Sequence, residues 1–181
     1  MPAVAGTRRP PAWRAVAAAA LTVACGGAQP APFPRDEPIR LGPLELTVLE
    51  LEPVPSPPPV PLSSLRAHPG ARPLAVFVEW AGLDGMAESE RSRFLESFLE
   101  EGVTLTDADG AEYRAMSALT RPMYSIGDTR GMIGGTVPHD WVVVFHVAED
   151  AREFALLVEN PEPDGGGPEL ARVDLGTPDL R

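Results

Sequence analysis

The stretch from Trp141 to Asn160 carries the clearest alternation of apolar and polar positions in the chain. Side chains in a strand repeat every two residues, so one face of this stretch is formed by Trp141, Val143, Phe145 and Val147. The opposite face is also mostly apolar, which predicts a strand that lies centrally in its sheet and is covered on both faces. A charged run, Glu149 to Arg152, then separates it from a second alternation over Phe154 to Val158. We therefore predict a central pair of strands joined by a tight polar connection.

Shorter alternations predict the remaining strands. These are residues 44–51, 73–80, a short strand near Met123 and a closing strand at 170–175. In the first of them the alternation changes phase at Val48 and Leu49, which indicates a bulge. The proline-rich run 53–61 cannot be a central strand, because proline donates no ladder hydrogen bond, and we interpret it as a stiff loop. A polyproline ligand for the aromatic groove of a partner is the alternative for this run.

Residues 87–101 change to a helical period. An apolar stripe with the spacing i, i+1, i+4, i+5 is formed by Phe94, Leu95, Phe98 and Leu99. We predict a helix over 87–101 that ends at Gly102 and closes one end of the sheet core, with a partner-binding surface as the alternative. Glu100 and Glu101 oppose the helix dipole at this end, so we expect the last turn to fray.

The segment after the helix predicts a hairpin whose loop length is decided by the side chains on its two faces. A two-residue loop would place Asp107 opposite Glu112, which are like charges. A three-residue loop that ends at Gly110 instead pairs Leu105 with Tyr113 and separates the apolar face from the polar face. We therefore predict a type I turn with a glycine bulge, in which Gly110 is left-handed.

About seven strands with one inserted helix, and no regular alternation of strand and helix, predict an all-β fold built as an antiparallel β-sandwich. Part of the chain resembles the immunoglobulin-like domain of unknown function found in secreted bacterial lipoproteins. The residues that carry the resemblance are Val103–Tyr113 (VTLTDADGAEY), Gly134-Gly135-Thr136, Trp141–Val147 and Phe154–Val158. Mycobacterial immunoprotective extracellular antigens share that general fold. The resemblance covers roughly residues 40–176, departs at the helix, and implies an immunoglobulin-like sandwich without catalytic residues to transfer.

The N-terminus has the pattern of an export signal. Residues 1–14 contain three arginines and no acidic residue, and the uncharged run that follows, 15–24, is too short to cross a bilayer. The motif Leu21-Thr22-Val23-Ala24-Cys25 resembles the lipobox of bacterial lipoproteins. This resemblance implies cleavage before Cys25 and lipidation of its sulfur, with ordinary signal-peptidase cleavage as the alternative.

These patterns predict the domain organisation and the location of the protein. The predicted units are a lipoprotein signal peptide at 1–24, the lipidated Cys25 with a Pro-rich tether at 25–38, an immunoglobulin-like β-sandwich at 39–176 and a frayed C-terminus at 177–181. Acyl chains on Cys25 would contribute about 0.8 kcal/mol per buried methylene, so the membrane is the first predicted partner. We expect an exported protein that is lipid-anchored to the bacterial cell membrane or outer membrane.

The charge of the chain disfavours nucleic acid as a partner. The formal net charge of the 181 residues is −11, and all 15 basic residues are arginine. Affinity for nucleic acid depends largely on basic side chains that neutralise phosphates, and this acidic surface would repel them. Cys25 is the single cysteine, so no disulfide within the chain is expected.

The residues that could carry chemistry are few. His139 and Asp140, with Asp128 nearby in sequence, are weak candidates for a small metal or acid–base site. The run that begins at Asp107 echoes part of a calcium loop, but it lacks the full set of acidic positions. We find no phosphate-binding loop, no nucleophile elbow and no Ser-x-x-Lys pattern, and we expect no cofactor.

The sequence thus favours a lipid-anchored extracytoplasmic binding or interaction domain of the cell envelope, with a possible envelope protein as partner. The alternative is an extracytoplasmic hydrolase or metal-dependent enzyme that uses a His139/Asp140 site. A purely structural spacer domain is the third hypothesis.

Lipidation of Cys25 predicts a simple change in fractionation. The variant Cys25→Ser should move the protein from the detergent-extracted membrane fraction to the soluble fraction, because it removes the acceptor of the acyl chains. Immunoblots of the two fractions measure this. Unchanged fractionation would contradict the lipoprotein prediction.

Overall fold

The computed structural model describes residues 31–126 and 139–178, and within them eight strands form one antiparallel sheet. The strands are β1 (Pro38–Leu41), β2 (Leu44–Pro53), β3 (Ala71–Ala81), β4 (Val103–Thr106), β5 (Glu112–Thr120), β6 (Asp140–Ala148), β7 (Phe154–Glu159) and β8 (Leu170–Gly176). The helices are α1 (Glu88–Ser97), which continues into a π-helical turn at Phe98–Gly102, and α2 (Arg121–Ile126). Short 3₁₀ turns lie at Ser63–Leu65, Leu83–Gly85 and Pro163–Gly165. The all-β prediction is confirmed.

The strand order is β1-β2-β3-β6-β5-β4-β7-β8, and the sheet curls until it is nearly barrel-shaped. The strand β5 belongs to both halves of this sheet. Its first residues, 112–114, pair with β4, whereas residues 115–120 pair with β6, with a register shift at Met116. The half-sheet β1-β2-β3-β6 and the half-sheet β4-β7-β8 therefore meet at one bent strand.

The main hydrophobic core lies between these two half-sheets. Its members come from both: Ile39, Leu46, Val76, Trp80, Phe145, Leu105, Leu156 and Val173 are among the side chains that are at most 1% exposed. The helix α1 covers one end of this core. Trp80 meets the rings of Phe94 and Phe98 edge-on, with centroids 5.2 and 4.9 Å apart. The predicted apolar stripe therefore closes the core, as expected.

A second, smaller core covers the outer face of the β3–β6 pair. Phe77, Val142 and Val144 are buried there beneath the proline-rich loop, which contributes Val60, and α2, which contributes Tyr124. The strand β6 lies between β3 and β5 and is buried on both faces. The prediction of a central, doubly covered strand is therefore confirmed.

The chain segment before β1 lies across the seam between the two edges of the sheet. The N–H of Phe33 donates to the carbonyl of Arg172 (2.7 Å), and the Arg35 side chain donates to backbone carbonyls near the end of β8. On the other edge the N–H of Gly42 donates to the carbonyl of Gly166 (3.0 Å). The last residues of the segment predicted as a tether, 25–38, thus contact the sheet, and Pro38 begins β1.

Two detailed predictions about local structure are confirmed. In the β4–β5 hairpin Leu105 pairs with Tyr113, Gly110 has a φ of 79°, and Asp109 is not among the residues with positive φ. The turn is therefore the three-residue form with a glycine bulge. In β2 the register shifts between Val48 and Glu50, at the predicted bulge.

The two strands of the predicted central pair both form, but they are not neighbours in the sheet. The strands β6 and β7 are consecutive in sequence, but β5 and β4 lie between them in the sheet. The connection between β6 and β7 is therefore not a hairpin turn. Within it, Ala151 is buried in the core and Glu153 is left-handed, with a φ of 53°. It directs the chain from one half-sheet to the other.

Other corrections concern single elements. The strand expected near Met123 is the helix α2, in which the N–H of Met123 approaches the Thr120 hydroxyl (3.4 Å) and Pro122 occupies the first turn, where proline is tolerated. The helix predicted over 87–101 is α-helical only to Ser97, and its last turn, Phe98–Gly102, is π-helical with Phe98 buried. The strand β1 was not predicted, because four residues give too short an alternation, and it brings the number of strands to eight.

Phe145 is fully buried at the centre of β6. The variant Phe145→Ala should therefore lower the free energy of unfolding by about 3 to 5 kcal/mol, through lost burial and the cavity that remains. Denaturant unfolding measures this. The control Met116→Ala truncates a side chain that is 57% exposed on neighbouring β5, and it should change stability by less than about 0.5 kcal/mol. A loss well under about 1 kcal/mol for Phe145→Ala would contradict the burial of this side chain in the main core.

Candidate functional site

The structure places His139 beside a carboxylate that the sequence did not indicate. Its Nδ1 lies 2.9 Å from the backbone carbonyl of Trp80, and its Nε2 lies 3.4 Å from Asp84. Asp140 is exposed at the start of β6, where the sheet register places it opposite Glu79 of β3. Asp128 lies outside the described residues. Among residues 31–126 and 139–178, no group of three or more His, Cys, Asp and Glu side chains could hold a metal ion.

The rings of the two remaining histidines are in contact, although the residues are far apart in sequence. The rings of His68 and His146 have centroids 5.1 Å apart and are tilted by 48°. The Nε2 of His146 is also 2.8 Å from the carbonyl of Ser64. These contacts attach the segment that follows the proline-rich loop to β6. No spacing in the sequence indicated this pair.

Asp107 is the best-connected carboxylate in the described chain, and its contacts explain the calcium-like motif. The N–H groups of Asp109 and Ala111 donate to its Oδ1 (3.0 and 2.9 Å), and the Tyr113 hydroxyl donates to its Oδ2 (2.7 Å). The bond from Tyr113, with the backbone bonds, holds the pKa of Asp107 below its ordinary value of 3.8 and outweighs the opposing effect of burial. The carboxylate thus fastens the β4–β5 hairpin.

The outer face of the half-sheet β4-β7-β8 differs from the outer face of β3 and β6, because no described element covers it. Leu105, Leu156 and Val173 point into the main core, so their alternate neighbours point outward. The register aligns these outward residues in two rows. One row is Glu112–Thr106–Ala155–Asp174 and the other is Arg114–Thr104–Leu157–Arg172.

These rows form a groove that runs along the strands, which we name the trough. Its floor, on β4 and β7, consists of Thr106, Ala155 and Leu157. Its walls carry the charged side chains Glu112 on β5 and Arg172 and Asp174 on β8. The groove measures about 970 Å³, which is within the range of ligand-binding clefts.

One end of the trough is framed by loops and is acidic. The β4–β5 turn, with Asp107, and the connection before β7, with Glu153, line this end together with Thr177. The backbone N–H of Glu153 donates to the Thr177 hydroxyl (3.1 Å), which holds this left-handed residue beside the groove. Asp174 is paired with Arg172 at 2.8 Å.

Reasoning from the sequence missed the trough, although each strand that forms it was predicted. The alternation of Ala155, Leu157, Arg172 and Asp174 shows which side chains share a face of each strand. It does not show that β4 lies beside β7, because the two are separated by almost fifty residues. The trough follows from that pairing.

No protein-family model, no curated protein and no solved structure matches the chain. Within the part of the chain that the structure describes, no helix is long and apolar enough to span a membrane. Cys25 and the signal-like segment before it lie outside the described residues, so their roles stay predictions.

The contacts of Asp107 predict a specific dependence of stability on pH. Because its pKa is lowered by folding, its contribution is present above the pKa of the unfolded chain and is lost as the pH falls through the folded value. Between pH 7 and pH 2.5 the wild type should therefore lose more stability than Asp107→Asn. Denaturant unfolding at several pH values measures the difference.

The variant Asp109→Asn is the matched control, since it removes the same charge from the same turn at a side chain that accepts none of these hydrogen bonds. Its pH profile should follow that of the wild type. Identical profiles for Asp107→Asn and the wild type would contradict the role assigned to Asp107.

Proposed function

We propose that the protein is a lipid-anchored, extracytoplasmic binding domain of the bacterial cell envelope, and that it binds an envelope protein through the trough. The trough carries this proposal. It is a concave face of ligand-binding size, with a floor of small side chains between charged walls. The equivalent face of the other half-sheet is closed by a second core.

The position of the seam supports a partner near the membrane. Phe33 is attached to β8, which forms one wall of the trough, and it lies eight positions after Cys25 in the chain. An extended chain spans at most about 3.6 Å per residue, so a lipid on Cys25 would hold this edge of the domain within about 29 Å of the bilayer. A protein of the same membrane would then lie within reach of the trough.

We propose further that the fold is an immunoglobulin-like sandwich of about seven strands. Two half-sheets that contribute to one core are compatible with a sandwich. The shared strand β5, however, joins them into one continuous sheet of eight strands.

The alternative, a hydrolase or metal-dependent enzyme with a His139/Asp140 site, is favoured by one observation, the approach of His139 to Asp84. His139 and Asp84 are 43% and 65% exposed, whereas catalytic pairs are usually held in a cleft. A spacer domain would leave the trough without a role. The binding domain accounts for the most features.

Filling the floor of the trough tests the proposal. The variant Thr106→Trp places a bulky neutral side chain between the walls, and it should abolish the capture of an envelope protein that the tagged wild type recovers from detergent-solubilised envelopes. The control Thr47→Trp makes the same change at a half-buried position of β2, on the other half-sheet, and should leave capture intact. Mass spectrometry of the captured proteins is the measurement. Recovery of the same partner by Thr106→Trp, or of none by the wild type, would contradict the proposal.

A further inference from the structure

We infer that the occupant of the trough is an extended segment of a partner protein that places a basic side chain, Lys or Arg, at the loop-framed end. This inference rests on the proposed function and adds the chemistry of its ligand. Shape and charge support it independently.

The shape of the trough selects a single extended segment. The walls on β5 and β8 are three strand spacings apart, about 14 Å, and the floor between them is two strands wide. The wall side chains stand above β5 and β8 themselves, so the free width between them is that of the two floor strands, about 10 Å. An α-helix with its side chains is about 10 to 12 Å in diameter, so it would rest on the wall side chains and not reach the floor. An extended chain can lie on Thr106, Ala155 and Leu157 between the walls.

The charges of the trough select a basic side chain at one end. Four carboxylates and one guanidinium line the groove. Asp107 accepts three hydrogen bonds within its own hairpin, and Asp174 is bound by Arg172. Glu112 and Glu153 make no ion pair within the described part of the chain, so they are the carboxylates available to a ligand.

The same features argue against a second copy of this chain as the occupant. Two concave faces placed together would touch at their walls and leave the floors apart. Two chains that each carry a net charge of −11 also repel each other at moderate ionic strength. An extended segment with basic side chains is complementary to the trough in both shape and charge.

A selection experiment with the folded domain tests the inference. A phage library of randomised decapeptides is selected against the full chain, and the enriched peptides are synthesised. We expect them to contain a Lys or Arg, to bind more weakly as salt increases, and to lose affinity for Thr106→Trp.

The double variant Glu112→Gln/Glu153→Gln should bind these peptides about tenfold more weakly, since two exposed ion pairs are lost. The matched control Glu45→Gln/Glu79→Gln removes the same charge from exposed positions of β2 and β3, and it should bind as the wild type does. All four glutamates are exposed, and thermal unfolding confirms that each variant folds.

The inference would be overturned if the selection enriched no peptide or enriched peptides without basic residues. Equal weakening of binding by both double variants would also overturn it. Capture of the envelope partner by the variants distinguishes a failure of this inference from a failure of the proposed function. If Thr106→Trp abolishes capture and Glu112→Gln/Glu153→Gln does not, the trough is the binding surface and the basic ligand is wrong. If neither variant affects capture, both proposals fail.

Discussion

The pairing of β5 with two different neighbours is the constraint on which the rest of the structure depends. Its first three residues continue the half-sheet of β4, and its later residues continue the half-sheet of β6. The change of partner occurs between Arg114 and Ala115. At Met116, the next residue, one extra residue in the strand allows the local bend and twist that a continuous sheet needs to turn over its own core. Both half-sheets can then direct their apolar faces to the same interior, in which Phe145 and Leu156 are buried.

One outer face of the sheet is covered by a second core and the other has no described cover, and the uncovered face contains the candidate site. Behind β3 and β6 the outward residues are apolar, and the proline-rich loop and α2 cover them. Behind β4, β7 and β8 the outward residues are small at the centre and charged at the sides, so this face tolerates water without a cover. A surface that needs no cover for stability, yet is concave, is free to receive a partner. The hairpin turn fastened by Asp107 and the left-handed Glu153 fix the loops at one end of it.

Local features were predictable from the sequence because they depend on neighbouring residues. The alternation around Phe145, the bulge near Val48 and the glycine turn at Gly110 each follow from short-range sterics and from the sorting of apolar and polar faces. Features that depend on long-range pairing were not predictable. The charged run after β6 indicates a tight polar connection, but it does not show that the chain crosses there to the other half-sheet, which the strand order reveals. The trough, the His68–His146 contact and the approach of His139 to Asp84 all arise from such pairings.

Hydrogen exchange of the intact protein in native membranes tests the central claim, that the trough is a binding surface, most directly. The exchange of each segment is compared between the protein in native membranes and the purified protein in detergent, by mass spectrometry. The account predicts slower exchange in membranes for the trough segments, 106–112, 153–157 and 170–177, and no change for the proline-rich loop, 53–61. Protection confined to that loop and α2, or no protection in either place, would contradict it.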